Sequence, residues 1–224
     1  MDKEKFIFVG PSNPSVACLN SYKGFTVLPP AQRGDILSVI SPKTSSIALI
    51  DGYWGQNPSV VHKEILEAIS YGIDVRGSSS MGALRAAELN SYGMAGIGSI
   101  FEWYKNGTIE GDDEVALLHL PKELNYKPIS IPLVNIRATL NNSSFVSNAT
   151  KEFFLDLISE LPIRDRTLDV FTKEINRSCL KNNDKIILTN HVLKKVIDQK
   201  QIDSEILIDS FYLRLNTNKS TLSY

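Results

Sequence analysis

Cysteine is nearly absent from this chain. Its 224 residues carry two, Cys18 and Cys179, far apart and in no C-x-x-C pattern. That spacing argues against a thiolate metal site and a disulfide scaffold, and it fits reduced thiols in a cytosolic protein. Excess charge of either sign is also missing: 24 Lys and Arg face 25 Asp and Glu, for a net charge of −1. Nothing general therefore draws the chain to nucleic acid or to an anionic membrane. No apolar run is long enough to span a bilayer. The opening MDKEKFIFVG passes from charges into a short strand-like run and lacks the h-region of a signal peptide. The expectation is a cytoplasmic protein with no metal and no cofactor. A G-x-G-x-x-G fingerprint and an internal repeat are absent too. What is present is ordinary: 42% hydrophobic and 22% charged residues, enough for one α/β domain plus a small helical extension.

The stretch that organises the rest is Val75–Leu89, VRGSSSMGALRAAEL. Ile73 and Val75 read as the end of a buried strand, Gly77 to Ser79 as a turn, and Met81 onward as a helix of good helix formers. Strand, small-residue turn and helix place backbone donors and the partial positive end of a helix at one point. A hydroxyl at Ser80 would stand beside that anion or oxyanion site. Ser78-Ser79-Ser80-Met81-Gly82 also has the outline of a G-x-S-x-G elbow with Ser78 in place of the first glycine. A bare connection and a phosphate-cradling loop have the same outline.

Around it the chain alternates strands and helices. Phe6–Val9, Phe25–Leu28 and Ile47–Ile50 read as strands, the last an unbroken apolar run suited to a parallel strand covered on both faces. Ser15–Asn20 and Ala31–Ile40 read as helices. Asp51-Gly52 follows the central strand, where open α/β sheets place chemistry and where turns also use aspartate. Asn57 and Pro58 read as cap and first residue of a helix whose inner face carries His62, Ile65, Leu66 and Ile69, with Glu64 and Glu67 on other faces. Gly96 and Gly98 precede a helix at Ile100–Lys105. Asp112-Asp113-Glu114 precedes a strand at Val115–Leu118, which ends at His119. Leu133–Leu140 reads as a helix, and Asn141–Ser144 as a linker. Beyond it, 152–161, 168–180, 190–199 and 205–215 read as amphipathic helices, with His191 a surface or capping residue. The expected architecture is a doubly wound α/β fold with a mostly parallel sheet (1–144) and a C-terminal helical extension (145–224).

Taken together, FVGPS at 8–12, LIDGY at 49–53, VHKEIL at 61–66, SMGALRAAEL at 80–89, Gly93-Met94, DDEVA at 112–116 and VNIRATL at 134–140 resemble the TfuA-like family over roughly residues 6 to 140. The resemblance implies a partner of a YcaO enzyme in peptide-backbone thioamidation, with sulfur drawn from a thiocarboxylated ubiquitin-like carrier and a precursor peptide as a further candidate partner. Releasing sulfide from a thiocarboxylate is acyl transfer to water and needs a nucleophile or base and an oxyanion site. In one version Ser80 attacks the carbonyl, the N–H groups of Met81 and Gly82 hold the oxyanion, and His62, or else His119, is the base, oriented by Asp51, Glu64 or Asp113. In another, His62 activates water while Ser80 and Arg85 bind the carboxyl group; Glu88, three residues from Arg85, pairs with it or joins the site. The turn residue Ser79 belongs to the same candidate site, and Gly77 and Gly82 could line a slot for a glycine-ended tail. The alternative to catalysis is a scaffold or allosteric partner that delivers the carrier to the YcaO enzyme.

Overall fold

The computed structural model of the chain describes residues 3–55 and 57–217. These pack as two compact units. One contains the described residues up to Glu110 together with those from Lys200 onward, and the other runs from Gly111 to Gln199. The boundary expected near residue 144 falls inside the second unit.

The first unit is an α/β fold. Its strands are β1 (Glu4–Phe8), β2 (Ser21–Tyr22), β3 (Phe25–Leu28), β4 (Thr44–Leu49), β5 (Asp74–Ser78) and β6 (Ala95–Ile97), in the order β2-β3-β1-β4-β5-β6. Every pair is parallel except β2 with β3, which closes a hairpin through Lys23 and Gly24, both at positive φ. Ile7, Ile47, Ala48, Leu49 and Ile50 are fully buried, as a sheet covered on both faces requires. Chain order reverses between β1 and β4, so the crevice at their carboxyl ends is the topological switch point.

The helices are α1 (Pro14–Ala17), α2 (Asp35–Ser38), α3 (His62–Ser70), α4 (Met81–Leu89), α5 (Ser99–Lys105), α6 (Leu133–Asn141), α7 (Asn148–Ser159), α8 (Leu168–Arg177), α9 (Asn182–Ile187) and α10 (Gln199–Thr217). Two starts differ from expectation. Ala31 is drawn into a bridge with Gly52 and Gly34 takes φ 94°, so α2 is a single turn. The segment 57–61 stays out of α3, whose cap is the extended Val61. The carboxylate of Glu64 accepts the Val61 N–H at 3.4 Å and the Gly34 N–H at 2.8 Å. Glu64 is therefore a buried cap, and His62 is the first residue of the helix.

The last helix, α10, packs within the first unit. Asn13 donates to Ser204 at 3.0 Å and Arg76 to Ser210 at 2.9 Å, while the Arg76 guanidinium lies 4.0 Å from the Phe211 ring centre. The buried Asp203 accepts the Ile100 N–H at 2.8 Å and so caps α5, whose own cap residue is Gly98.

The second unit is helical. Leu133, Ile136, Leu140, Phe154, Ile158, Phe171 and Leu188 form its core, and the Phe154 and Phe171 rings meet edge to face at 6.2 Å. Ser147 and Thr167 cap α7 and α8 through their hydroxyls. The strand expected at 115–118 does not form. A 3₁₀ turn occupies Asp112–Glu114, and the Leu118 N–H goes to the Ser130 hydroxyl at 2.8 Å in place of a sheet neighbour. The helix expected at 190–199 is a π turn over Leu188–Val192 followed by a 3₁₀ turn over Leu193–Lys195. The His191 side chain lies outside the described residues. Among the described residues no helix is long and apolar enough to cross a membrane.

Candidate functional site

The turn from β5 into α4 is built by close approach. A Cβ on Gly82 would stand 1.8 Å from the Leu49 carbonyl oxygen, and one on Gly77 2.1 Å from the Gly82 carbonyl oxygen. Both glycines let α4 sit directly on β4 and β5. Their open faces meet protein backbone, so they line no slot for an incoming tail. The Gly82 N–H donates to the Ile50 carbonyl at 3.1 Å and is not available to an oxyanion. Met81 is fully buried, with its sulfur over Gly52.

The three serines of the turn have different surroundings. Ser78 donates to the Ile97 carbonyl at 2.7 Å and Ser79 to the Lys200 carbonyl at 2.8 Å. Ser79 adopts φ 65°, a left-handed conformation that a non-glycine residue holds only when its surroundings enforce it. Here the hydrogen bond to α10 and complete burial enforce it. Ser80, the cap residue of α4, is 3% exposed and makes no side-chain capping bond.

Asp51 stands at the switch point, as expected from its place after β4. Its carboxylate accepts the Gly10 N–H at 2.8 Å, the Ser12 N–H at 3.0 Å and the Ser12 hydroxyl at 2.6 Å. All these donors come from the loop after β1. Asp51 therefore clamps that loop and orients neither histidine.

Three expected residues do come together, away from Ser80. His62 Nε2 is 2.8 Å from Glu88 Oε2, and Arg85 Nη1 donates to the same oxygen at 2.6 Å. Arg85 Nε donates to the Val60 carbonyl at 3.0 Å, which fixes the guanidinium beside the start of α3. The His62 side chain is 47% exposed, where the helical spacing led to an inward one. The shift of the α3 start explains this: at the first helical position the ring turns out over α4. Glu88 lies eight residues past Ser80, ~12 Å along the axis of α4, and no hydrogen bond joins His62 to Ser80 among the described residues. The acid behind the imidazole is thus Glu88, not Asp51 or Glu64. Its sequence signal was the Arg85–Glu88 spacing, which shows an ion pair and not the third member.

His119 and Asp113 belong to the second unit. His119 Nδ1 lies 2.8 Å from the Leu120 carbonyl oxygen and the ring packs near Tyr126. Asp113 is held by Arg166 at 2.6 Å, and Glu114 by Arg137 at 2.6 Å. Sequence reasoning missed Lys200, Asp203 and Ser204. They are buried at helical spacing on α10, a polar stripe on an inward face.

No curated protein matches the chain. A family model described as TfuA-like protein matches residues 51–167, which include Asp51, the α3 and α4 residues of the site and both acids held by arginine in the second unit. The match covers more than half of the 224 residues, and the chain belongs to the TfuA-like family.

Proposed function

We propose that this protein hydrolyses a thiocarboxylated ubiquitin-like carrier and so supplies sulfide to a YcaO-type enzyme, within the YcaO-dependent thioamidation with which its family is associated. The observation that carries the reading is the His62–Glu88–Arg85 cluster on the surface of α3 and α4. A carboxylate behind an imidazole fixes its tautomer and stabilises the imidazolium that forms on proton transfer. With Nε2 held by Glu88, Nδ1 faces the water that attacks the carbonyl carbon of the thiocarboxylate. As the C–O bond forms, the water proton passes to Nδ1. The carbonyl oxygen gains negative charge beside the Arg85 guanidinium, whose Nη2 is not used by Glu88 or Val60. Collapse breaks the C–S bond, and the imidazolium returns its proton to the departing sulfur. Hydrosulfide leaves and the new carboxylic acid ionises.

This is the water-activating version, with no covalent enzyme intermediate. Ser80 is buried and makes no hydrogen bond to an imidazole among the described residues, so attack by its hydroxyl has no base there to support it. The test is sulfide release from a purified thiocarboxylated carrier without the YcaO enzyme. His62→Ala lowers the rate ~100-fold, within the usual range for removing a general base, and Ser80→Ala leaves most of it. Release that survives His62→Ala removes the reading. Sulfide formed only with the YcaO enzyme present supports the scaffold role.

A further inference from the structure

Four backbone N–H groups open α4, and three of them have partners. Gly82 donates to the Ile50 carbonyl at 3.1 Å, and Ala83 and Leu84 donate to the Ser80 carbonyl at 2.9 and 3.3 Å. The N–H of Met81 has no acceptor among the described residues, although Met81 is fully buried. Beside it, the Ser80 hydroxyl makes no hydrogen bond among the described residues, although Ser80 is 3% exposed. Ser78 and Ser79, in the same turn, both donate to carbonyls. Trp54 Nε1 is the one sealed side-chain nitrogen or oxygen without a partner among the described residues. The unpaired Ser80 hydroxyl is therefore not sealed, and it carries the small access that the residue keeps. Buried polar groups are paired as a rule, because an unmade hydrogen bond costs stability. Here two unpaired donors on adjacent residues meet at the positive end of a nine-residue helix.

An N–H and an O–H that can donate to one atom suit an anion. The opening sets its size: Ser80 and Met81 together expose almost nothing, so the group that reaches both donors is about one atom wide. The surroundings set its charge. Asp51 follows Ile50, whose carbonyl takes the Gly82 N–H. The helix α10, whose Lys200 and Asp203 carbonyls accept from Ser79 and Ser78, brings one buried lysine and one buried aspartate. Two buried carboxylates beside one lysine leave no surplus of positive charge for a phosphate dianion. The end of α4 offers about half a positive charge, which suits a single negative one.

We propose that the start of α4 binds one small monoanion, in contact with the Ser80 hydroxyl and the Met81 N–H. Two sources share this chemistry: halide from the medium, and the hydrosulfide that hydrolysis at His62 releases. Only the second source rests on that hydrolysis; the site itself rests on Ser80 and Met81.

Chloride NMR on the full chain, at mildly alkaline pH where hydrosulfide is the anion, tests it. The chain broadens the chloride line, and Ser80→Ala weakens chloride binding ~10-fold, the scale of one hydrogen bond to a charged partner. Bromide displaces chloride, whereas acetate and phosphate, too large for the opening, do not. Hydrosulfide that displaces chloride at lower concentration than bromide does is the ligand; otherwise the ligand is halide, and either result supports the site. A second measurement needs no ligand. Ser80→Asp and Ser80→Asn put side chains of one shape at the same position, and they differ by a charge. At an anion site Ser80→Asp is the more stable of the two in urea unfolding, because it supplies the negative charge from within. In a turn that takes no anion it is the less stable, because its buried carboxylate lacks a counter-charge. Equal broadening by the native and Ser80→Ala proteins, displacement by acetate as readily as by bromide, or Ser80→Asp less stable than Ser80→Asn overturns the inference. None of these measurements reads sulfide release, so failure of hydrolysis at His62 is distinguishable from failure of this site.

Discussion

Two carboxylates of the first unit show how a residue's partners decide its role. Glu88 is one-third exposed and shares one oxygen between His62 and Arg85, an arrangement that can gain or lose a neighbour during turnover. Asp51 is buried and its carboxylate is committed to three donors from one loop. Glu88→Gln keeps the shape but removes the charge that stabilises the imidazolium, so sulfide release falls ~10-fold or more. Because Glu88 acts through His62, the double variant His62→Ala with Glu88→Gln releases sulfide no more slowly than His62→Ala alone, a non-additivity that loss of packing alone does not produce. Asp51→Ala leaves a loop of buried N–H groups unpaired and costs ~3 kcal/mol or more of stability, measured by urea unfolding. These two variants separate the site from its scaffold.

At the scale of elements, the glycines of α4 and its neighbourhood give a matched pair of tests. Gly82→Ala pushes a methyl into the Leu49 backbone, which has no side chain to move aside. It costs ~3 kcal/mol or more, or abolishes folding. Gly72→Ala meets nothing within 4 Å but must hold φ 76°, and it costs ~1–2 kcal/mol. Thermal unfolding of both variants checks the ordering. What was legible in the sequence follows the same physics. The run Ile47–Ile50 and the helix from Met81 carry their own signals, unbroken apolarity and helix propensity; the strand forms over Thr44–Leu49 and the helix over Met81–Leu89. β6 was invisible because Ala95-Gly96-Ile97 has little side chain to pattern, and the room at Gly96 is filled by the Phe101 ring. Val115–Leu118 reads as a strand because its residues are apolar, yet no strand forms there: Val115 and Ala116 are buried, Leu117 is half-buried and Leu118 is exposed. Asn57-Pro58 imitates a helix start, and a helix begun there would carry His62 on its inner face; α3 begins at His62 itself, and the ring is exposed. Glu64 caps α3 through the Val61 N–H three residues back and also holds the Gly34 N–H; the second bond spans 30 residues of sequence and leaves no local mark.

At the scale of the molecule, the α/β unit is completed by a helix from the far end of the chain. Without α10, Ser78, Ser79 and the buried Arg76 lose acceptors, so a chain ending at residue 198 exposes a polar seam and loses the cooperative unfolding of this unit. A milder perturbation reaches the same interface through pH. On α10, Asp209 pairs with Lys23 in the β2–β3 turn, and the Tyr212 hydroxyl donates to the Lys23 carbonyl. The Asp209 hydrogen bond holds the Lys23 ammonium above its ordinary value of 10.5, and partial burial raises the Tyr212 phenol above its ordinary 10.0. Folding thus favours the protonated form of each group. Both contributions are complete at neutral pH and fade as alkali removes the two protons, Lys23 losing its charge and Tyr212 its donor. The pair is exposed and screened by salt, so the effect is small at pH 8. Stability measured by urea unfolding falls above pH 10.5 more steeply in the native chain than in a variant carrying both Asp209→Asn and Tyr212→Phe. Parallel alkaline slopes for the two proteins would show that α10 is held by its buried seam alone.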